Sequence, residues 1–230
     1  MKLLMVTCAD ESTAVYSKYT HPFLQVFAER WKAEFRIINP PQNFPKYSRP
    51  LAVYDIYENY DRIFYVDSDV IINKNCPNLF DIVPHDTIGL VFEDKGSRLK
   101  NRRARIVRIK EGFGGVEHWT SGYFNMGVVI TSKIHRNMFT RVNGRIWEDK
   151  MGFGQTHFNY QMMKLKYKHV DLGYKFNHMS MFSEPWNGSP SRFDSYIMHY
   201  AGGAKFPDIG NRSRSDLMRD DVTRIYGKEK

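Results

Sequence analysis

An α/β fold, with a mostly parallel central sheet and helices on both faces, is what this 230-residue chain predicts. Three observations lead there. Short apolar runs alternate with longer segments of helical periodicity between Leu3 and Ile72, an order that parallel strands with helical crossovers satisfy. The length suits one substantial core rather than two. The third observation is Ile63-Phe-Tyr-Val66, an apolar run of the kind a strand covered on both faces needs, which leads straight into Asp67-Ser-Asp69.

Taken in order, Leu3 to Thr7 reads as the first strand. Thr13 to Trp31 has helical periodicity, with Pro22 marking a break or a new start. Phe35 to Ile38 is a second strand, Asn39 to Pro45 a proline-rich loop and Leu51 to Tyr60 a helix feeding the strand that ends at Asp67. Thr87 to Phe92 and Asn125 to Thr131 read as further strands, Gln155 to Leu165 as a helix, and Tyr196 to His199 as a strand end before Ala201-Gly-Gly-Ala204. One domain over 1–207 is expected. The polar, basic tail 208–230 offers no convincing core segment and reads as a peripheral helix or partly disordered.

Composition narrows the function. An apolar share of 42% without repeats or low-complexity tracts favours a packed globular protein over a disordered one. Cys8 and Cys76 are too few for a disulfide framework or a four-cysteine zinc site. With no run of about 18 apolar residues and no signal-like start, a soluble cytoplasmic protein without a transmembrane segment is expected. The net charge of +9 is concentrated in Arg98 to Lys110, which favours an anionic partner: nucleic acid, a phosphorylated glycan or a lipid head group.

Residues two apart on an extended chain point the same way, so Asp67 and Asp69 can converge on one cation. Hard divalent ions held by carboxylates keep positions open for phosphate oxygens. His199 completes an Asp, Asp, His set suited to manganese or magnesium. Gly202 lets backbone approach a phosphate and Lys205 supplies a cation. An aspartate-nucleophile phosphatase also fits four apolar residues followed by Asp67 and Asp69, with Lys205, Asp220 and Asp221 as its remaining parts. A non-catalytic nucleic-acid-binding module would explain the basic run but not the acidic residues.

In this order, Thr7-Cys-Ala-Asp10, Asp67-Ser-Asp69, Tyr123-Phe-Asn-Met-Gly-Val-Val129, Gln155 with Asn159, and His199 with Gly202 and Lys205 resemble the retaining GT-A glycosyltransferases of family 8, which include glycogenin and the lipopolysaccharide galactosyltransferases. The resemblance implies the GT-A fold and a metal-dependent transfer of a sugar from a UDP-sugar with retention. It implies that Asp67, Asp69 and His199 hold manganese or magnesium against the diphosphate, with Gly202 and Lys205 on the phosphates. Thr7, Ala9 and Asp10 would line the uracil side, Arg49 would reach the diphosphate or sugar, and Ser68 would lie near the ribose. Asn125 and Gln155 would touch the transferred sugar, as the catalytic candidates. The acceptor side would be built by Arg102, Arg103, Arg105 and Trp119, with Phe113 and Trp186 as further stacking candidates. The chain departs from the family at Gly154, where Asp is common, at Thr13 and at Met126. Glu117, Asp149, Asp171 and Glu184 are the candidates for the carboxylate that Gly154 does not supply.

Overall fold

The computed structural model describes residues 1–39, 51–147 and 153–227. Its centre is a six-stranded sheet in the order β2 (Glu34–Ile38), β1 (Leu3–Cys8), β3 (Arg62–Val66), β6 (Val128–Ser132), β5 (Ile88–Leu90) and β7 (His169–Asp171). Only β6 opposes the rest, pairing antiparallel with both β3 and β5. A separate antiparallel ribbon joins β4 (Val70–Ile72) to β8 (Ile197–His199).

The apolar runs form these strands because both faces of the sheet are covered. Leu4, Val6, Ile63, Tyr65 and Val129 face one core, with Tyr57, Phe139, Phe158 and Met162. Met5, Phe64, Val66, Val128 and Ile130 face the other, with Leu24, Phe27, Trp31 and Phe80. Period-two alternation thus sorts one continuous apolar run onto two cores. Arg62 is buried at the start of β3, and its guanidinium donates to Phe80 O at 2.6 Å and Val83 O at 2.9 Å.

Several elements differ from the sequence expectation. Helix α1 (Ala14–Arg30) runs unbroken through Pro22. Buried Tyr16 before it packs with Ile71, Met198 and Tyr200, and buried Leu24 and Phe27 after it pack with Met5, Phe64 and Val66, and burial of both halves outweighs the missing N–H. Helix α2 (Val53–Ile56) is shorter than expected, and the loop from Asn39 lies outside the described residues beyond its first residue. A short α3 (Leu79–Ile82) follows β4. The basic run is a helix, α4 (Leu99–Phe113): Ile106 and Ile109 bury one stripe, and Gly114 at φ 69° ends it. Helix α5 (Phe153–Lys164) precedes β7.

The tail also joins the core. Helix α6 (Arg214–Tyr226) begins at Ser213, whose hydroxyl accepts from Asp216 N, and it buries Leu217, Met218 and Val222 with Tyr16, Ile71, Met198 and Tyr200. Asp221, on the same face, is buried and accepts from Arg192 Nε at 2.7 Å, Arg192 NH2 at 2.9 Å and Tyr200 Oη at 2.5 Å. One apolar stripe per turn in an otherwise charged segment is why composition gave no sign of a core element. Replacing Asp221 by Ala leaves the Arg192 charge buried and short of a partner, and unfolding in urea is expected to show a loss of about 3–5 kcal/mol.

Candidate active site

The site lies where β3 and β8 end and β6 begins. Pairing of Val66 with Val128 sets Gly127 beside Asp67, whose N–H donates to Gly127 O at 2.9 Å. Pairing of Val70 with His199 in the small ribbon brings the imidazole beside Asp69, and Tyr200 N donates to Asp69 O at 2.9 Å. His199 Nε2 therefore stands 3.2 Å from Asp69 Oδ1 and 3.7 Å from Asp67 Oδ2. Ligand atoms of the three residues lie within 4.8 Å of one another. Asp69 and His199 are buried, whereas the Asp67 side chain is 40% exposed and faces the opening.

Hydrogen-bond logic orients the imidazole. Gly127 N–H can only donate, so the atom it meets at 2.9 Å is the oxygen of Asn125. Asn177 Nδ2 then donates to that oxygen at 3.1 Å, which turns Asn177 Oδ1 toward His199 Nδ1 at 2.8 Å. Nδ1 must carry a proton, and Nε2 faces two carboxylates that can only accept. A proton or a cation on Nε2 resolves that contact. Burial pushes the His199 pKa down, but Asp69 and Asp67 more than reverse it, leaving it above the ordinary histidine value. Burial likewise raises Asp69, and His199 and Arg214 outweigh it, so its carboxyl sits below the usual range.

A divalent metal fits these residues. Two carboxylates and one imidazole, with its second nitrogen anchored, form a hard oxygen and nitrogen donor set suited to manganese or magnesium. The space is kept by a glycine. A Cβ at Gly127 would lie 2.6 Å from Asp67 Oδ2, 3.0 Å from Asn125 Oδ1 and closer still to His199 Cε1.

A second polar cluster adjoins it. Glu93 is fully buried, and Oε2 accepts from Asn125 Nδ2 at 3.3 Å while Oε1 accepts from Gln155 Nε2 at 2.6 Å. Gln155 Oε1 in turn accepts from Asn125 Nδ2 at 3.2 Å and Met126 N at 3.2 Å. Arg98 NH1 reaches Glu93 Oε2 at 2.8 Å, and Arg102 Nε donates to Oε1. Burial raises the Glu93 pKa, but the two guanidinium groups overcome it and hold the carboxyl below its ordinary value. Asn125 and Gln155 are thus oriented by a buried carboxylate, and Asn125, through Asn177, orients His199.

Other sequence-assigned residues fall in distinct places. Thr7 and Ser68 are buried: the Ser68 hydroxyl donates to Cys8 O at 3.0 Å and meets Thr7 Oγ1 at 3.0 Å and His21 Nε2 at 3.1 Å, tying β1 to the Asp67 turn. Ala9 and Asp10 follow β1 at the same end of the sheet, with Ala9 N on Ile38 O at 3.0 Å and Asp10 Oδ1 accepting from Ser12. Gly202, at φ 67°, and exposed Lys205 lie on the loop after β8. Arg49 lies outside the described residues, as does Asp149.

The acceptor-side assignment divides. Arg102 is turned inward onto Glu93, because that buried carboxylate needs its charge. Trp119 is also corrected: only 1% exposed, it packs with Ile106, Ile109 and Tyr123, so its ring offers no stacking face. Arg103 is half exposed, 3.6 Å from Asp94, and Arg105 is partly buried beside Tyr123. Phe113 packs on Trp147 and Tyr160, whereas Trp186 is 45% exposed. Of the carboxylates considered for the sugar, Asp171 pairs with Lys95 at 3.1 Å, Glu184 accepts from Ser97 N at 3.0 Å, and Glu117 is exposed. Glu93, which sequence reasoning passed over, is the one that reaches both amides. Its position just beyond the Thr87–Phe92 run carried the same signal that drew attention to Asp67. The phosphatase alternative fails on geometry, since Asp221 is committed to Arg192 and Tyr200 in a buried cluster.

Comparison with known proteins settles the family. The pattern of glycosyl transferase family 8 matches residues 46–206. The chain belongs to this family. It is a glycosyltransferase. No curated protein matches it by sequence. Among solved structures, the likeness of fold extends through the whole chain: a glycosyltransferase involved in glycosylation of the major capsid of PBCV-1 aligns at TM-score 0.62 and 14% identity, covering 98% of this chain and all of that one. The galactosyltransferase LgtC, solved with donor and acceptor sugar analogues, aligns at TM-score 0.56 and 14% identity, covering 99% and 98%. A Drosophila β-1,4-galactosyltransferase 7 variant, complexed with manganese, UDP-Gal and xylobiose, aligns at TM-score 0.52 and 13% identity, covering 95% and 80%. At these identities the likeness is one of fold, the GT-A architecture.

Two substitutions test the site. Gly127→Ala forces His199 or Asp67 aside, and manganese affinity by calorimetry should fall at least tenfold while far-ultraviolet circular dichroism stays unchanged. Glu93→Gln removes the charge that Arg98 and Arg102 neutralise, and should lower melting stability by about 3 kcal/mol or more.

Proposed function

We propose that this family-8 glycosyltransferase moves a sugar from a UDP-sugar to an acceptor, with retention of anomeric configuration and with manganese or magnesium as cofactor. The observation that supports it most is the Asp67, Asp69, His199 cluster, in which an oriented imidazole nitrogen is aimed at two carboxylates over a glycine floor. The manganese and UDP-Gal of the Drosophila complex, which shares the fold, favour that ion and that nucleotide.

Breaking the bond between the sugar carbon and the diphosphate leaves negative charge on the diphosphate. A divalent ion held by Asp67, Asp69 and His199 would supply Lewis-acid stabilisation of that leaving group. Lys205 and the Gly202 backbone would add electrostatic stabilisation on the loop after β8. Thr7, Ala9 and Asp10 would border the uracil at the end of β1, with Arg49 reaching toward the donor and Ser68 holding the Asp67 turn.

Asn125 and Gln155 would hold the transferred sugar. Both amides are fixed by Glu93, so they meet the hydroxyls already oriented. Covalent double displacement needs a carboxylate free to attack the sugar carbon. Glu93 is engaged by two guanidinium groups and both amides, which makes it an orienting group. Same-face attack by the acceptor hydroxyl, assisted by the departing diphosphate, uses only groups that this site offers.

For the acceptor, the outward side of α4 presents Lys100, Arg103 and Arg108, which favours an anionic molecule, whether a phosphorylated glycan, a lipid-linked glycan or nucleic acid. Among the described residues no helix is long and apolar enough to cross a membrane.

The test is a panel of UDP-sugars incubated with the protein and manganese, following UDP release and the anomeric configuration of the product by nuclear magnetic resonance. One donor should be consumed with retention, and Asp69→Asn should reduce turnover at least a hundredfold. Inverted product would overturn the retaining assignment, and inertness toward every UDP-sugar would overturn the donor class.

A further inference from the structure

Arg214 is the first residue of α6 and lies beyond the segment that matches the family pattern. Its guanidinium nevertheless reaches the centre of the site. NH1 donates to Asp69 Oδ2 at 3.0 Å and to Gly202 O at 3.3 Å, and the group lies 4.3 Å from the ring centroid of Tyr16. The two oxygens of Asp69 are thereby divided, Oδ1 toward His199 and Oδ2 toward Arg214. The side chain is 29% exposed, and α6 is anchored behind it by Asp221 on Arg192.

We propose that Arg214 is a tethered cation that makes metal binding depend on the nucleotide diphosphate. This rests on the donor assignment above. With a neutral imidazole, Asp67 and Asp69 supply two negative charges and Arg214 cancels one of them. A divalent ion alone would leave the cluster with an excess positive charge in a largely buried site, which weakens its retention. The negative charge of a diphosphate more than offsets that excess, and the guanidinium beside Gly202 stands next to the loop assigned to the phosphates, where it can share a phosphate oxygen. Ion and nucleotide then bind far better together than either does alone. By linkage the gain is reciprocal.

The experiment measures manganese binding by electron paramagnetic resonance of the free ion, with and without UDP, for the whole protein and for Arg214→Gln, Arg214→Lys and Arg219→Gln. Arg219 pairs with Asp216 and Asp220 on the outside of α6 and serves as the control. Arg214→Gln should bind manganese alone about tenfold more tightly, the size expected of one nearby charge screened by partial exposure. It should also lose about tenfold of the enhancement that UDP confers, whereas Arg214→Lys and Arg219→Gln behave as the parent. Unchanged or weaker manganese binding in Arg214→Gln would overturn the proposal. So would equal tightening in Arg214→Lys, which would reduce the effect to shape. Far-ultraviolet circular dichroism of each variant checks that α6 persists. If the parent bound manganese but no UDP, the donor reading would fail, while the comparison of manganese alone would still decide what Arg214 does.

Discussion

The site depends on a missing side chain. Three ligand groups from two strand ends and a ribbon converge only because Gly127 leaves room beneath them, and the register of two separate β-pairings brings them there. β6 running against its neighbours is part of that solution. An antiparallel partner for β3 places the start of β6, rather than its end, beside Asp67. Gly127 and Asn125 therefore meet the acidic turn from the same segment.

Charge is the second constraint. Asp67, Asp69, Glu93 and Asp94 gather at one end of the sheet, and three of the four are buried. Each buried member has a cation or an imidazole against it: His199 and Arg214 for Asp69, Arg98 and Arg102 for Glu93, Arg103 for Asp94. Part of the basic excess of α4 is thus internal compensation, and the remainder faces outward. One helix therefore orients the amides Asn125 and Gln155 on one side and offers a cationic surface on the other. Because unpaired buried charge costs several kcal/mol, the arginines of α4 tie the outward cationic surface to the integrity of the buried cluster around Asn125 and Gln155.

Much of this was legible in the sequence. Ile63 to Val66 predicted a strand buried on both faces, and both cores confirm it; Asp67, Asp69 and His199 were paired across a long stretch of chain from residue type alone, and the structure brings them together. What stayed hidden was of two kinds. Asn177 and Arg214 act through tertiary placement, with no local pattern around them to mark a polar contact with a distant histidine or aspartate. Glu93 was passed over and Trp119 misjudged because burial, which decides whether a carboxylate orients and whether a ring can stack, follows from packing rather than from spacing. The helix over the basic run was obscured by its charge density, since only Ile106 and Ile109 mark the buried stripe.

The central claim is that Asp67, Asp69 and His199 hold a metal ion for a nucleoside diphosphate. Calorimetric titration of UDP into the unmodified protein with manganese, repeated with excess chelator, tests it most directly. Binding that appears with the ion and vanishes with the chelator is the expected result. Binding of equal strength under both conditions, or none under either, would contradict the account.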